Sequence, residues 1–169
     1  MSLILAIDPG TTHSAKVLYD PNSRCVIVHG KHANDELVCT LRIQATNADW
    51  RVVIEGIASY GRPVGAEVFQ TAIWIGRFIE AWDANRNGQS EAVLIYRRQV
   101  KRHLCGSELK VNDAVIRQRL IDLFGPGKAV AIGTKKTPGP LYGLRADEWS
   151  ALALAVTFSE QGTKEENHE

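Results

Sequence analysis

The sequence predicts an α/β domain built on a mixed sheet, and three observations predict it. Three apolar segments open the chain, with a tight turn between the second and third. After them, short apolar strands alternate with helical stretches. No segment repeats and none reads as a linker, so 169 residues make one domain large enough for its own core. The domain is expected over 1–160, followed by a polar tail over 161–169.

The segments LILAI (3–7), AKVLY (15–19) and CVIVH (25–29) read as strands, and DPNSR (20–24) as the turn that makes the last two antiparallel. A modest helix is expected over 33–47. RVVIE (51–55) is continuously apolar and needs cover on both faces. A Gly/Pro loop, GIASYGRPVG (56–65), leads to a helix over 66–84, where Val68, Ala72, Ile75 and Ile79 keep helical spacing and four aromatic residues widen the stripe. AVLIY (92–96) is another buried strand. Helical stretches follow over 97–104 and 112–124, the second stopped by GPG. AVAIG (129–133) is expected as a short strand, TKKTPGPLYG (134–143) as a loop, and 144–159 as a last helix with a small, apolar face.

Composition excludes several classes. No apolar run approaches the roughly 20 residues that cross a bilayer. The N-terminal apolar run has no basic residues ahead of it and meets Asp8 at once, as a core strand does and a signal peptide does not. Cys25, Cys39 and Cys105 form neither an even set nor a metal-ligand spacing, which points to a reducing, cytoplasmic setting and against zinc. The net charge of +1 is neutral on nucleic acid. Its distribution is more telling: RRQVKR (97–102) carries four positive charges and no negative one, and Lys135 with Lys136 forms a second cluster. Basic clusters neutralise phosphates, and they also serve as ordinary solvated surface.

Asp8 and Glu55 each close an apolar strand at its carboxyl end, where open α/β sheets place their sites. On parallel neighbouring strands their backbones would lie about 4.8 Å apart. Two carboxylates there repel, and one is driven to protonate unless a cation sits between them. A hard divalent ion with oxygen ligands removes that conflict. Asp147, in the expected first turn of the last helix, supplies a third acid, although a negative charge there also suits the helix dipole. Ser150 follows one turn later on the same face, while Glu148 is rotated by about 100°. Three acids from two strand ends and a helix start suit two-metal phosphodiester hydrolysis. Each acid alone reads equally as a strand or helix end meeting water.

The stretch AIDPGTTHSA, VVIEGIASYG, the block QVKRHLCGSELKVNDAVIRQRLIDLFG (99–125) and GTKKTPGPLYGLRADEWSALALAV (133–156) together resemble the RuvC-like Holliday junction resolvases, in the RNase H-like superfamily, and their phage-encoded branch in particular. The opening DPGTT also resembles the phosphate-binding turn of actin-like ATPases, but those need two lobes and this chain has room for one.

The resemblance implies an RNase H-like fold with a five-stranded mixed sheet whose first and fourth strands are parallel neighbours. It implies a homodimer that nicks two symmetry-related strands of a four-way DNA junction, with Mg²⁺ or Mn²⁺, two ions per site, held by Asp8, Glu55 and Asp147. Water is then the nucleophile, with no covalent protein intermediate and no nucleotide cofactor. The family's fourth acid falls at Ser150, so three carboxylates serve, or Ser150 or Glu148 completes the set, or the second metal is held more weakly.

The family's DNA-contacting segment matches Val100 and Lys101, with Arg97, Arg98 and Arg102 around it. A further family lysine falls at Asn112 or Asp113, with Lys110 the nearest substitute. Lys135 and Lys136 would hold the cleaved strand, and Tyr60 would stack on an unpaired base or pack its own loop. A helix 66–82 face is where a dimer surface is expected. The alternatives are a broader nuclease of forks, flaps and three-way junctions, a catalytically impaired junction-binding protein, and an ATPase fragment.

Overall fold

The computed structural model describes residues 2–47, 49–61, 63–84, 86, 91–107 and 111–166, with side chains to 161 in the last helix. Among these residues there are five strands, β1 (Leu3–Asp8), β2 (His13–Asp20), β3 (Cys25–Ala33), β4 (Trp50–Gly56) and β5 (Val93–Tyr96). The helices are α1 (Asn34–Gln44), α2 (Ala66–Asp83), α3 (Arg97–Cys105), α4 (Asp113–Phe124), α5 (Lys128–Ala131) and α6 (Glu148–Glu166). The sheet order is β3-β2-β1-β4-β5. The first three strands run antiparallel, whereas β4 and β5 run parallel to β1.

Alternation along each strand divides the core in two. Leu5, Ile7, Val52 and Ile54 face α1 and α2, where Leu37, Leu41, Phe78 and Trp82 are fully buried. Ile4, Ala6, Val17 and Val53 face α3, α4 and α6. The small side of α6 explains its close seat on the sheet: Ala151, Ala153 and Ala155 are all buried without remainder. No helix among the described residues is long and apolar enough to cross a membrane.

Two expectations need correction. AVAIG is not a strand: Lys128–Ala131 form the short helix α5, and only Gly133 makes a β-bridge, to Pro138. Gly125 and Gly127 end α4 and start this turn before a strand can extend. The last helix begins at Glu148, not 144, because Ala146 takes a left-handed φ of 35° that no helix continues through. At its other end α6 runs on to Glu166, into the stretch expected as a polar tail.

The loop from α5 to α6 is packed backbone to backbone. A Cβ at Gly139 would stand 2.2 Å from the Val130 carbonyl oxygen and 2.6 Å from that of Ala131. Gly139→Ala is therefore expected to lower the melting temperature by about 5 °C or more, read by circular dichroism.

Candidate active site

Asp8 is the last residue of β1, and the β1–β4 register pairs Ile7 with Ile54, which brings Glu55 alongside Asp8. Asp8 continues the Ile4–Ala6 face and Glu55 the Val53 face, so both carboxylates emerge on the α6 side of the sheet. The turn after Asp8 is pinned. The Gly10 amide donates to Ser14 Oγ at 3.1 Å, Ser14 Oγ donates to Asn34 Oδ1 at 2.7 Å, and Asn34 Nδ2 donates to the Gly10 carbonyl at 2.9 Å. A Cβ on Gly10 would lie 2.3 Å from the His13 carbonyl oxygen, so only glycine fits.

The third acid comes from the start of α6. The Ala151 amide donates to the Asp147 carbonyl at 3.0 Å, which makes Asp147 the residue that opens the helix. Ser150, three residues on, lies near enough to Asp8 to favour its ionised carboxylate slightly. Burial, then the charges of Glu55 and Asp147, push the Asp8 carboxyl up to about 7, against smaller opposing effects of Arg97 and the Ser150 hydrogen bond. Burial also raises Glu55, opposed by Arg97 and Lys101 and reinforced by Asp113. Asp8, Glu55 and Asp147 therefore share one electrostatic site.

Lys31 and Arg97 form ion pairs with these acids. Lys31 Nζ donates to Asp147 Oδ2 at 2.6 Å, and that hydrogen bond raises the lysine's own pKa. Arg97 lies 3.8 Å from Glu55 and also pairs with the exposed Asp113. Arg97 is thus part of the acid cluster, whereas the sequence pointed it at DNA. Glu148 does not join the cluster: its Oε2 lies 2.8 Å from His29 Nδ1 and accepts from the Arg145 amide at 2.9 Å, an arrangement that fastens the first turn of α6 to β3.

The remaining basic residues sort by helical spacing. On α3, Lys101 stands one turn from Arg97 and acts on Glu55. Arg98 and Arg102 are exposed, and Arg98 stacks over the Tyr60 ring at 5.1 Å. Tyr60 is itself exposed, with a left-handed φ of 48°. Lys135 and Lys136 form the tip of a tight turn closed by the Thr134 amide donating to the Thr137 carbonyl at 3.0 Å. Lys110 lies outside the described residues.

Sequence reasoning missed Lys31 and the pair Arg117–Trp149. Lys31 had a signal: it pairs with Ala15, which pairs with Asp8, so the three form one row on one face. Arg117 stacks over Trp149 at 4.5 Å and lines a cleft between α4 and α6 with Arg97, Asp113, Asp147 and Ser150. That contact joins separate helices and has no local sequence pattern.

Among the described residues, no three acid, histidine or cysteine side chains converge closely enough to grip an ion as they stand. The donor chemistry nonetheless suits one. Hard carboxylate oxygens share a face, and the proton demand at Asp8 is the kind of strain a divalent cation relieves.

No protein-family model and no curated protein sequence matches the chain. Solved structures do. A structure of RuvC from Thermus thermophilus matches with a TM-score of 0.63 and 17% identity, over 95% of this chain and 97% of that one. The chain has the RuvC fold. A second structure, T. thermophilus RuvC in complex with Holliday junction substrate, matches with a TM-score of 0.66 and 15% identity, over 96% of this chain and 98% of that one. The match to RuvC over 95% of the chain bears out the expected RNase H-like fold, with its five-stranded mixed sheet flanked by helices.

Proposed function

We propose that this chain is a Mg²⁺- or Mn²⁺-dependent endonuclease that resolves four-way DNA junctions. The observation that carries the reading is that Asp8 and Glu55 end neighbouring parallel strands on the α6 side of the sheet, with Glu55 and Asp147 both near enough to raise the Asp8 carboxyl. The fold is shared with RuvC, which has been solved with Holliday junction substrate, and this supports the choice of DNA.

Asp8, Glu55 and Asp147 would hold the metal. When bound, it supplies the positive charge that activates water and offsets charge developing on the scissile phosphate. The chain's other residues hold the frame. Ser150 favours the ionised form of Asp8, Arg97 steadies Glu55, and the glycine turn fixes the backbone after β1. Lys101, Arg98 and Arg102 form a basic flank for the phosphate backbone, where contacts position the duplex without reading its sequence. Lys135 and Lys136 extend that flank at their exposed turn. Tyr60, held against Arg98, offers a ring for an unpaired base.

A four-way junction has two-fold character, and a symmetric dimer would match it. On α2, Phe69 is 61% and Ile73 64% exposed, one turn apart, which makes an apolar patch that a second copy would cover. Ile73→Glu is expected to yield a monomer in sedimentation velocity and to turn paired nicking into slow single nicks. The three free cysteines suit a reducing cytoplasm.

The test is cleavage of labelled four-way, forked and linear DNA with Mg²⁺ and with EDTA. Paired nicks in the four-way junction with Mg²⁺, and none in EDTA, are expected. Equal cutting of forks and flaps would favour a broader debranching nuclease, and binding without cutting a junction-binding protein.

A further inference from the structure

Ser150 stands where the family resemblance implies a fourth carboxylate, and Lys31 reaches Asp147, three residues before it on the chain. Its strand register puts it in one row with Ala15 and Asp8, and its ammonium lies on Asp147 while also acting on Asp8 electrostatically. The next inward position on β3, His29, grips Glu148. Two residues of β3 therefore clasp two consecutive residues at the start of α6, which fixes where the Lys31 charge sits.

The neutral hydroxyl of Ser150 removes one negative charge from the site, and Lys31 adds a positive one. When all are ionised, the four acids Asp8, Glu55, Asp147 and Asp113 with the three cations Lys31, Arg97 and Lys101 carry one net negative charge, which matches one divalent ion with a phosphodiester better than two ions. We propose that Lys31 is a resident cation of this site, which takes the place of a second divalent ion, so that each chain binds one. Its ammonium positions Asp147 and adds positive charge beside the scissile phosphate. The inference rests on the nuclease reading for its consequence in cleavage, but not for its consequence in metal binding.

The experiment is a Mn²⁺ titration of the full chain, followed by the electron paramagnetic resonance of free Mn²⁺. One ion per wild-type chain is expected. Lys31→Met should still bind one, about 10-fold more tightly because a nearby positive charge is gone. Cleavage of four-way DNA by that variant should fall about 10²-fold, as when one charge-stabilising group is removed, with partial rescue by Lys31→Arg. The double variant Ser150→Asp, Lys31→Met should bind two ions. Wild type that binds two ions or none, or Lys31→Met with unchanged affinity, overturns the proposal. One Mn²⁺ per chain without DNA cleavage would instead remove the nuclease reading and leave the resident cation standing.

Discussion

Asp8→Asn is expected to abolish strand cleavage while raising the melting temperature of the metal-free protein at neutral pH. Loss of the carboxylate proposed as the central ligand should cost at least about 10²–10³-fold in rate. The gain in stability has a separate origin. Burial and the charges of Glu55 and Asp147 lift the Asp8 carboxyl from 3.8 to about 7 in the folded chain.

Between those values the folded protein holds a proton that the unfolded chain releases, so the site costs stability as pH rises from about 4 to 7. Above 7 the full cost is present, and below 4 it vanishes. For a shift of this size it is on the order of 2–4 kcal/mol, roughly 5–10 °C for a chain of this length. The difference in melting temperature between Asp8→Asn and wild type, measured in EDTA, should grow from pH 5 to pH 7 and then level off. A difference that stays at zero across that range would mean that Asp8 is not strained by its neighbours.

Arg86→Met is expected to be the most damaging change away from the site. Arg86 is only 3% exposed. Its guanidinium donates to the carbonyls of Ala45 at 3.3 Å, Asn47 at 2.7 Å and Trp50 at 3.2 Å, and it stacks over Trp82 at 4.7 Å. One side chain thus ties the end of α1, the link to β4 and the end of α2 together. Its loss leaves buried carbonyls short of donors, at a cost of about 3–5 kcal/mol. The urea midpoint should fall accordingly, while Mn²⁺ affinity below the transition stays unchanged because the acids lie at the other end of the strands. An unchanged midpoint would show that the three carbonyls find other donors without loss.

Arg86 marks what the sequence hides. Its charge reads as surface, and its carbonyl partners are set by the path of the α1–β4 link, which no periodicity records. The strands were legible because apolar runs closed by acids have few other uses, and that same pattern exposed Asp8 and Glu55. Asp147 was legible for its place at the start of α6, although Ala146 shifts the start of that helix by four residues from the expected 144. Lys31 needed the strand register, which follows only once β2 and β3 are paired, with an irregularity between Leu18 and Tyr19. Arg97 lay inside a basic run that resembles a DNA-contacting segment, and only the geometry shows it serving Glu55. AVAIG misled because a short apolar run between glycines fits a strand and a helical turn equally well.

The most direct measurement is the ligation of products from a two-fold symmetric four-way junction cut in Mg²⁺ by the wild-type chain and by Asp8→Asn. The wild type should give two nicks at symmetry-related positions that ligase seals, and the variant should bind the junction without cutting it. Undiminished cutting by Asp8→Asn, or cutting that persists in EDTA, would contradict a metal site built on Asp8, Glu55 and Asp147.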